Sequence, residues 1–286
     1  MKVCIVYEDD HLLLHQLRQS LSRRSISTTM VGISEVSAII NERTSHSLKE
    51  FDVIYFDRAT EMVPHFGTQI ALLSHIETLG VRFINSPKSW LKARNKATMT
   101  TVLTQANIKH PETWIGFSLE KALQAARQWP VAICKPIFGF SGNGIIPFES
   151  ANPPIRLLEE ELLKSGCLYI QKFITNPDSF DIRVDVIGGS VAYAFRRYST
   201  KNEKYPICNI SQGGRHEFIE IPSEIEDLVL SVTKIFGLDV AGIDLLYDRH
   251  NLPYVSEVNP EPNCSKWQPE FGEKIAQKFF DKEQDT

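Results

Sequence analysis

The sequence predicts an α/β protein built from two or three small domains. Three observations carry this. Apolar strand runs alternate with helical patterns over roughly the first hundred residues, the signature of an open α/β sheet. A strand ending in a lysine leads into a glycine-rich loop. Two acids sit inside apolar strands near the C-terminus. The length of 286 residues also argues for more than one core, since single cores rarely grow beyond about 250–300 residues.

The elements follow in order. Val3-Cys-Ile-Val-Tyr7 reads as a buried parallel strand and residues 11–22 as the helix after it. Residues 22–29 are polar and predict a turn or an edge. Asp52-Val-Ile-Tyr-Phe56, then a helix over 69–79, then Val81-Arg-Phe-Ile84 complete the first unit. Ser86 suits a helix cap and Pro87 its first position. Helical pattern runs on to Ala106 with a break at Arg94-Asn95. A second unit from Trp114 to Ile170 holds a helix over 119–128, a strand over 130–136, a glycine loop over 139–144, a strand over 145–148 and a helix over 157–164. The strand over 168–174 closes it. In the third unit, strands over 181–187 and 191–197 flank Gly188-Gly189, a hairpin signal. A polar loop over 199–216, an amphipathic helix over 223–236 stopped by Gly237, and a second hairpin over 240–247 and 253–258 follow. The expected domains are residues 1–86, 87–170 and 171–286.

Composition narrows the function classes. With 31 basic and 35 acidic residues the net charge is −4, which argues against a nucleic-acid or anionic-membrane partner. Cys4, Cys134, Cys167, Cys208 and Cys264 lack zinc-type spacing and read as reduced thiols of a cytoplasmic protein. The first apolar run stops at Glu8-Asp9-Asp10, too early for a signal peptide. No window approaches the roughly 20 apolar residues of a membrane helix.

The glycine loop Phe138-Gly-Phe-Ser-Gly-Asn-Gly-Ile145 lets backbone N–H groups approach phosphate oxygens. It fits neither the Walker nor the dinucleotide spacing, and a plain tight hairpin explains it equally well. Lys135, just before it, supplies a point charge for phosphates. Lys96 lies upstream on a helix, where a surface lysine is the ordinary reading. Asp244 lies inside Ala241-Gly-Ile-Asp244-Leu-Leu, and Glu257 and Asn259 alternate in Val255-Ser-Glu257-Val-Asn259. Period two puts Glu257 and Asn259 on one face. If the two strands pair, Asp244 joins them, and three oxygen ligands make a Mg²⁺ site. The alternative is a pair of solvent-facing acids on an edge strand.

In this order and spacing the words resemble the ATP-grasp superfamily, and within it the RimK-like and LysX-like amino-acid ligases. They are Asn85-Ser-Pro87, Arg94-Asn-Lys96, Cys134-Lys-Pro136, Ser141-Gly-Asn-Gly-Ile145, Gln171-Lys-Phe-Ile174, Asp181-Ile-Arg183, Arg196-Arg197, Asn209 with Gly213-Gly214, Val240-Ala-Gly-Ile-Asp244 and Glu257-Val-Asn259. The resemblance implies an ATP-grasp fold: an N-terminal α/β domain, a small lid domain and a C-terminal metal-binding domain. It implies ATP as substrate and two Mg²⁺, with Mn²⁺ as substitute. Lys96 and Lys135 would hold phosphates, and Gly139, Ser141, Gly142 and Gly144 would belong to a lid over them. Gln171, Lys172, Phe173 and Ile174 would be a hinge whose backbone reads adenine, with Asp181 at the ribose edge. Asp244, Glu257 and Asn259 would bind the metal ions. Arg183 and Arg196 would neutralise the transferring phosphoryl group, Asn209 would orient substrate, and Arg197 would point away. The implied reaction joins a small-molecule or peptide carboxylate to an amine through an acyl phosphate, in a homodimer or homotetramer.

Three positions depart from the family pattern. Lys172 replaces an acid in the hinge, Pro260-Glu-Pro-Asn263 makes a stiff exit after the last ligand, and Ile207 and Gln212 stand where basic residues flank the loop asparagine. The last departure predicts a less cationic pocket than in glutamate-adding relatives. Two other functions fit the same words: a nucleotide-binding module without turnover, and a kinase or ATPase without ligation.

Overall fold

In the computed structural model, residues 1–40, 45–57, 66–139, 142–176, 178–199, 204–205, 208, 214–262 and 270–281 are described. The N-terminal layer is a parallel sheet. Strand β1 (Lys2–Tyr7) leads into α1 (Leu12–Arg23) and β2 (Ser27–Gly32). A short pair, β3 (Ala38–Ile39) and β4 (Ser45–His46), precedes β5 (Val53–Phe56), α2 (Phe66–Thr78) and β6 (Arg82–Ile84). The strand order is β2-β1-β5-β6. Val3 through Val6 are fully buried, as a strand covered on both faces requires. The polar stretch expected as a turn or an edge holds the end of α1, the turn after it and, from Ser27, the start of the edge strand β2, parallel to β1. Its exposed, Ser/Thr-rich face hides the strand signal.

Helix α3 (Pro87–Arg94) breaks where expected. Asn95 Oδ1 accepts from the N–H groups of Ala97 and Thr98 at 3.0 and 3.1 Å, which caps a new helix, α4 (Lys96–Gln105). Lys96 is thereby set at the first position of α4. A small sheet, β7-β10-β8-β9, follows. It comprises β7 (Thr113–Gly116), β8 (Val131–Lys135), β9 (Ile146–Glu149) and β10 (Leu168–Lys172), with α5 (Leu119–Ala126) and α6 (Ile155–Ser165) packed on it.

The third sheet has the order β13-β12-β11-β14-β15. Its strands are β11 (Phe180–Ile187), β12 (Ser190–Tyr198), β13 (Arg215–Phe218), β14 (Val240–Tyr247) and β15 (Pro253–Asn259), with α7 (Ser223–Phe236) on one face. Ile182, Val184, Ile243, Leu245 and Val258 meet α7 there in one core. Part of the expected polar loop is therefore strand β13, an edge strand too polar to announce itself.

The final helix, α8 (Phe271–Phe280), is absent from the sequence reading, although Phe271, Ile275, Ala276 and Phe280 carry a helical period. It returns to the N-terminal layer, where Phe271 and Ile275 share a core with Leu13, Leu14 and Leu17. Arg24 Nη2 binds Glu273 Oε1 at 2.7 Å across the α1–α8 contact. This helix lies within the expected third domain, residues 171–286, and packs on the first.

Candidate active site

The site lies where the three sheets meet, and Asn85 fixes that meeting. Its side chain is buried. Nδ2 donates to the carbonyls of Val240 at 2.7 Å and Pro260 at 2.6 Å, and Oδ1 accepts from the N–H groups of Asp239 and Val240 at 2.6 and 2.9 Å. The start of β14 and the exit of β15 are thus stapled to the end of β6. Trp90 Nε1 adds a bond to Glu261 Oε2 at 2.7 Å. The Asn85-Ser-Pro87 and Pro260-Glu words are structural joints at this site.

One cross-strand row carries the chemistry. Glu257 on β15 faces Asp244 on β14, and Asp244 faces Arg183 on β11. Residues directly opposite share a face. A bulge at Ser256 lets Val255 pair with Leu245 and Glu257 with Asp244, so Glu257 and Asn259 still fall on the site face. Asn259 Nδ2 reaches Asp244 Oδ2 at 3.3 Å. The three expected metal ligands are therefore together.

Two arginines close on Asp244. Arg183 Nη1 lies 2.8 Å and Arg197 Nη2 3.0 Å from Asp244 Oδ1. Asp185, fully buried, takes Arg183 Nε at 2.7 Å. Asp181 holds Arg197 through Nε at 2.6 Å and Nη2 at 2.9 Å. Burial alone would raise the Asp244 pKa, but Arg197 and Arg183 outweigh it and hold the carboxyl below its ordinary range. Gly242 belongs to this cluster, because a Cβ there would overlap the Arg183 guanidinium.

This corrects the expected arginine faces. Arg197, expected to point away, lies in the cluster. Arg196 pairs with Ile182 on the opposite face, over the Phe180 ring at 4.7 Å and within 3.5 Å of Glu217. The phase of a strand depends on where it starts, and two adjacent arginines do not reveal it. Asp181, expected at a ribose edge, is spent on Arg197. Asp185 was not singled out; an acid two residues from Arg183 in a buried strand was the available signal.

Opposite the row stands an open cleft lined by Lys96, Lys135, Pro136, Gly139, Gly142, Asn143, Ile145 and Glu257. Lys96 Nζ lies 3.2 Å from Glu257 Oε1 and 3.1 Å from the Gly139 carbonyl. Burial pushes its pKa down against the pull of Glu257. Burial likewise pushes the Lys135 ammonium down to about 8, with Glu257 opposing. Gly144 needs its positive φ of 71° and its missing Cβ, which would meet Pro136 Cγ at 2.8 Å. Ser141 and Asn209 lie outside the described residues, as do Ile207, Gln212 and Gly213.

The hinge differs from a free strand edge. Strand β10 is interior to its sheet. Lys172 N–H donates to the Glu112 carbonyl at 2.9 Å and Phe173 N–H to that of Val131 at 3.1 Å. Gln171 is buried, with Nε2 on Tyr169 Oη at 2.7 Å. Lys172 Nζ pairs with Glu112 at 2.7 Å.

Among the described residues no three His, Cys, Asp or Glu side chains gather as a metal cluster; the metal-type set is two carboxylates and one amide. Comparison with known proteins decides what it serves. The profile of the RimK-like ATP-grasp domain matches residues 93–282. The chain belongs to the RimK-like ATP-grasp family. A tetrahydromethanopterin:alpha-L-glutamate ligase of Methanocaldococcus jannaschii is 34% identical over 204 residues, 70% of this chain and 69% of that protein. A probable alpha-L-glutamate ligase of Histophilus somni is 31% identical over 221 residues, 75% of this chain and 73% of that protein. The solved D-cycloserine synthetase DcsG superposes with a TM-score of 0.75 at 11% identity, covering 97% of this chain and 98% of that one, which shows the fold. This RimK-like protein is an ATP-dependent ligase that joins a carboxylate to an amine, with ATP and Mg²⁺ as the family's requirements. Its residues fit both: two lysines line a cleft under a glycine loop, and Glu257 lines the same cleft. No helix of the described residues is long and apolar enough to cross a membrane.

Proposed function

We propose that this ligase activates a small-molecule or peptide carboxylate as an acyl phosphate and couples it to an α-amino acid. The amines to test are glutamate, the amino acid in the names of relatives, and neutral α-amino acids, which suit a pocket with Ile207 and Gln212 in place of basic residues. The observation that carries the reading is the row Glu257–Asp244–Arg183, with Glu257 reaching into the lysine-lined cleft.

Lys96 and Lys135 bind the phosphates of ATP in this reading, and Gly139, Gly142 and Gly144 cover them. Asp244, Glu257 and the Asn259 amide oxygen hold two Mg²⁺, which lower the negative charge that an attacking carboxylate meets. Arg183 and Arg197 face the same point from the other side and stabilise the charge that develops on the phosphoryl group. The amine then displaces phosphate, leaving an amide, ADP and inorganic phosphate. The N–H groups of Lys172 and Phe173 are already bonded, so the hinge over residues 171–174 reads the nucleobase through its other backbone groups. A covering glycine loop keeps water from the acyl phosphate.

The test is ADP release from the purified protein against panels of acids and amines, with mass spectrometry of the product. Release that requires both partners, and a product heavier by the amine less one water, is the expected result. Release that proceeds at full rate without any amine, giving no coupled product, would identify an ATPase instead.

A further inference from the structure

The row that carries the chemistry continues beyond Arg183. Arg183 faces Phe195 on β12, and Phe195 faces Phe218 on β13. Beside it, Arg197 faces His216, and Asp185 faces Tyr193. One sheet face is therefore divided. Its β15–β14–β11 half is charged, its β12–β13 half is aromatic, and Arg197 stands at the border.

The aromatic half is built as a wall. Phe195 and Phe218 lie edge to face with centroids 6.2 Å apart at 68°. His216 meets Phe218 at 5.9 Å and 87°, and Phe195 at 5.8 Å and 72°. Tyr193 is covered, stacked on Phe271 of α8 at 6.1 Å and 18°. Phe195 is 5% exposed, but Phe218 is 55% exposed. An edge-to-face cluster fixes the Phe218 ring from its side and leaves a ring face for another aromatic group. A phenylalanine so exposed on an edge strand, in line with two arginines and two acids, has the form of a substrate platform.

We infer that the carboxylate substrate carries an aromatic group that docks on Phe218 and His216 while its acyl end lies at Arg183 and Arg197. The inference rests on the ligase reading and adds the class of acid. Arg183 and Phe218 are two strands apart, about 10 Å, so the ring stands about that far from the carboxyl carbon. The same chemistry can come from a small aromatic acid or from a peptide with an aromatic residue near its carboxylate.

Binding of probe acids, with Mg²⁺ and a non-hydrolysable ATP analogue present, tests this without turnover. The probes are ω-phenylalkanoates of increasing length, straight-chain alkanoates matched to them, and short acetylated peptide acids with or without a phenylalanine. Wild-type protein should bind the best-matched phenyl acid about ten-fold tighter than its alkanoate. Phe218→Ala should remove that advantage, and Phe218→Tyr should keep it, with ATP affinity unchanged in both. Preference for the phenylalkanoate or for the peptide tells which source the site takes. No phenyl advantage in wild-type protein, or an advantage that Phe218→Ala leaves intact, overturns the inference. Failure of the ligase reading would appear elsewhere, as ADP release without amine dependence.

Discussion

Arg183 Nη1 and Asp244 Oδ1 are 2.8 Å apart in the interior of the third sheet. Gly242, directly opposite Asp185, leaves the space in which that guanidinium lies. Gly242→Ala should push Arg183 off Asp244 and lower kcat by about 100-fold, with nucleotide affinity changed less than about three-fold. Stopped-flow rates and calorimetric ATP titration of the folded variant check this. Wild-type kcat would show that the Arg183 position is not needed for turnover.

The two neighbouring arginines should separate cleanly. Arg197→Ala removes a contact to Asp244 and should cost about 100-fold in kcat. Arg196→Ala, on the opposite face, should cost less than about three-fold. A larger loss from Arg196→Ala than from Arg197→Ala would reverse the assignment.

Lys135 should give ATP binding a pH dependence. Its pKa of about 8 in the fold lies below the ordinary 10.5. Between those values the unfolded chain binds more protons than the folded one, so this residue makes stability rise with pH across that window. ATP favours the protonated amine, so above about pH 8 binding should weaken and take up a proton. Calorimetry in buffers of different ionisation enthalpy measures the uptake. Lys135→Arg, which stays charged, should reduce it to what Lys96 contributes; uptake unchanged in Lys135→Arg would show that Lys135 is not its source.

Asn85 is a stability determinant by the same geometry that makes it a positioning residue. Asn85→Ala leaves the Val240 and Pro260 carbonyls and the Asp239 and Val240 N–H groups without their side-chain partner. The expected loss is about 2–4 kcal/mol in urea unfolding. A loss under about 1 kcal/mol would mean that the joint relaxes onto other partners.

The strongest strands and the acid pair were legible in the sequence because each depends on local pattern alone. Val240–Tyr247 and Ser223–Phe236 fall at the expected bounds, since a long apolar run and a glycine-stopped amphipathic helix need no tertiary context. Period two put Glu257 and Asn259 on one face, and the pairing of β14 with β15 brought Asp244 to them. What stayed hidden depends on partners far away in the chain. Strands β2 and β13 are edges whose polar faces dilute the alternation. The arginine faces hinge on strand phase, and the occupied hinge amides on neighbours at Glu112 and Val131. Asp185 reads as one more acid until Arg183 is seen against it.

Acyl-phosphate formation is the centre of the account, and oxygen transfer measures it most directly. The acid found in the substrate screen is labelled with ¹⁸O in its carboxylate and turned over with ATP, Mg²⁺ and the amine. One ¹⁸O should appear in the inorganic phosphate for each amide formed, because the carboxylate oxygen that attacks the γ-phosphate leaves with it. Unlabelled inorganic phosphate, with the departing ¹⁸O found in AMP or in water instead, would contradict the mechanism.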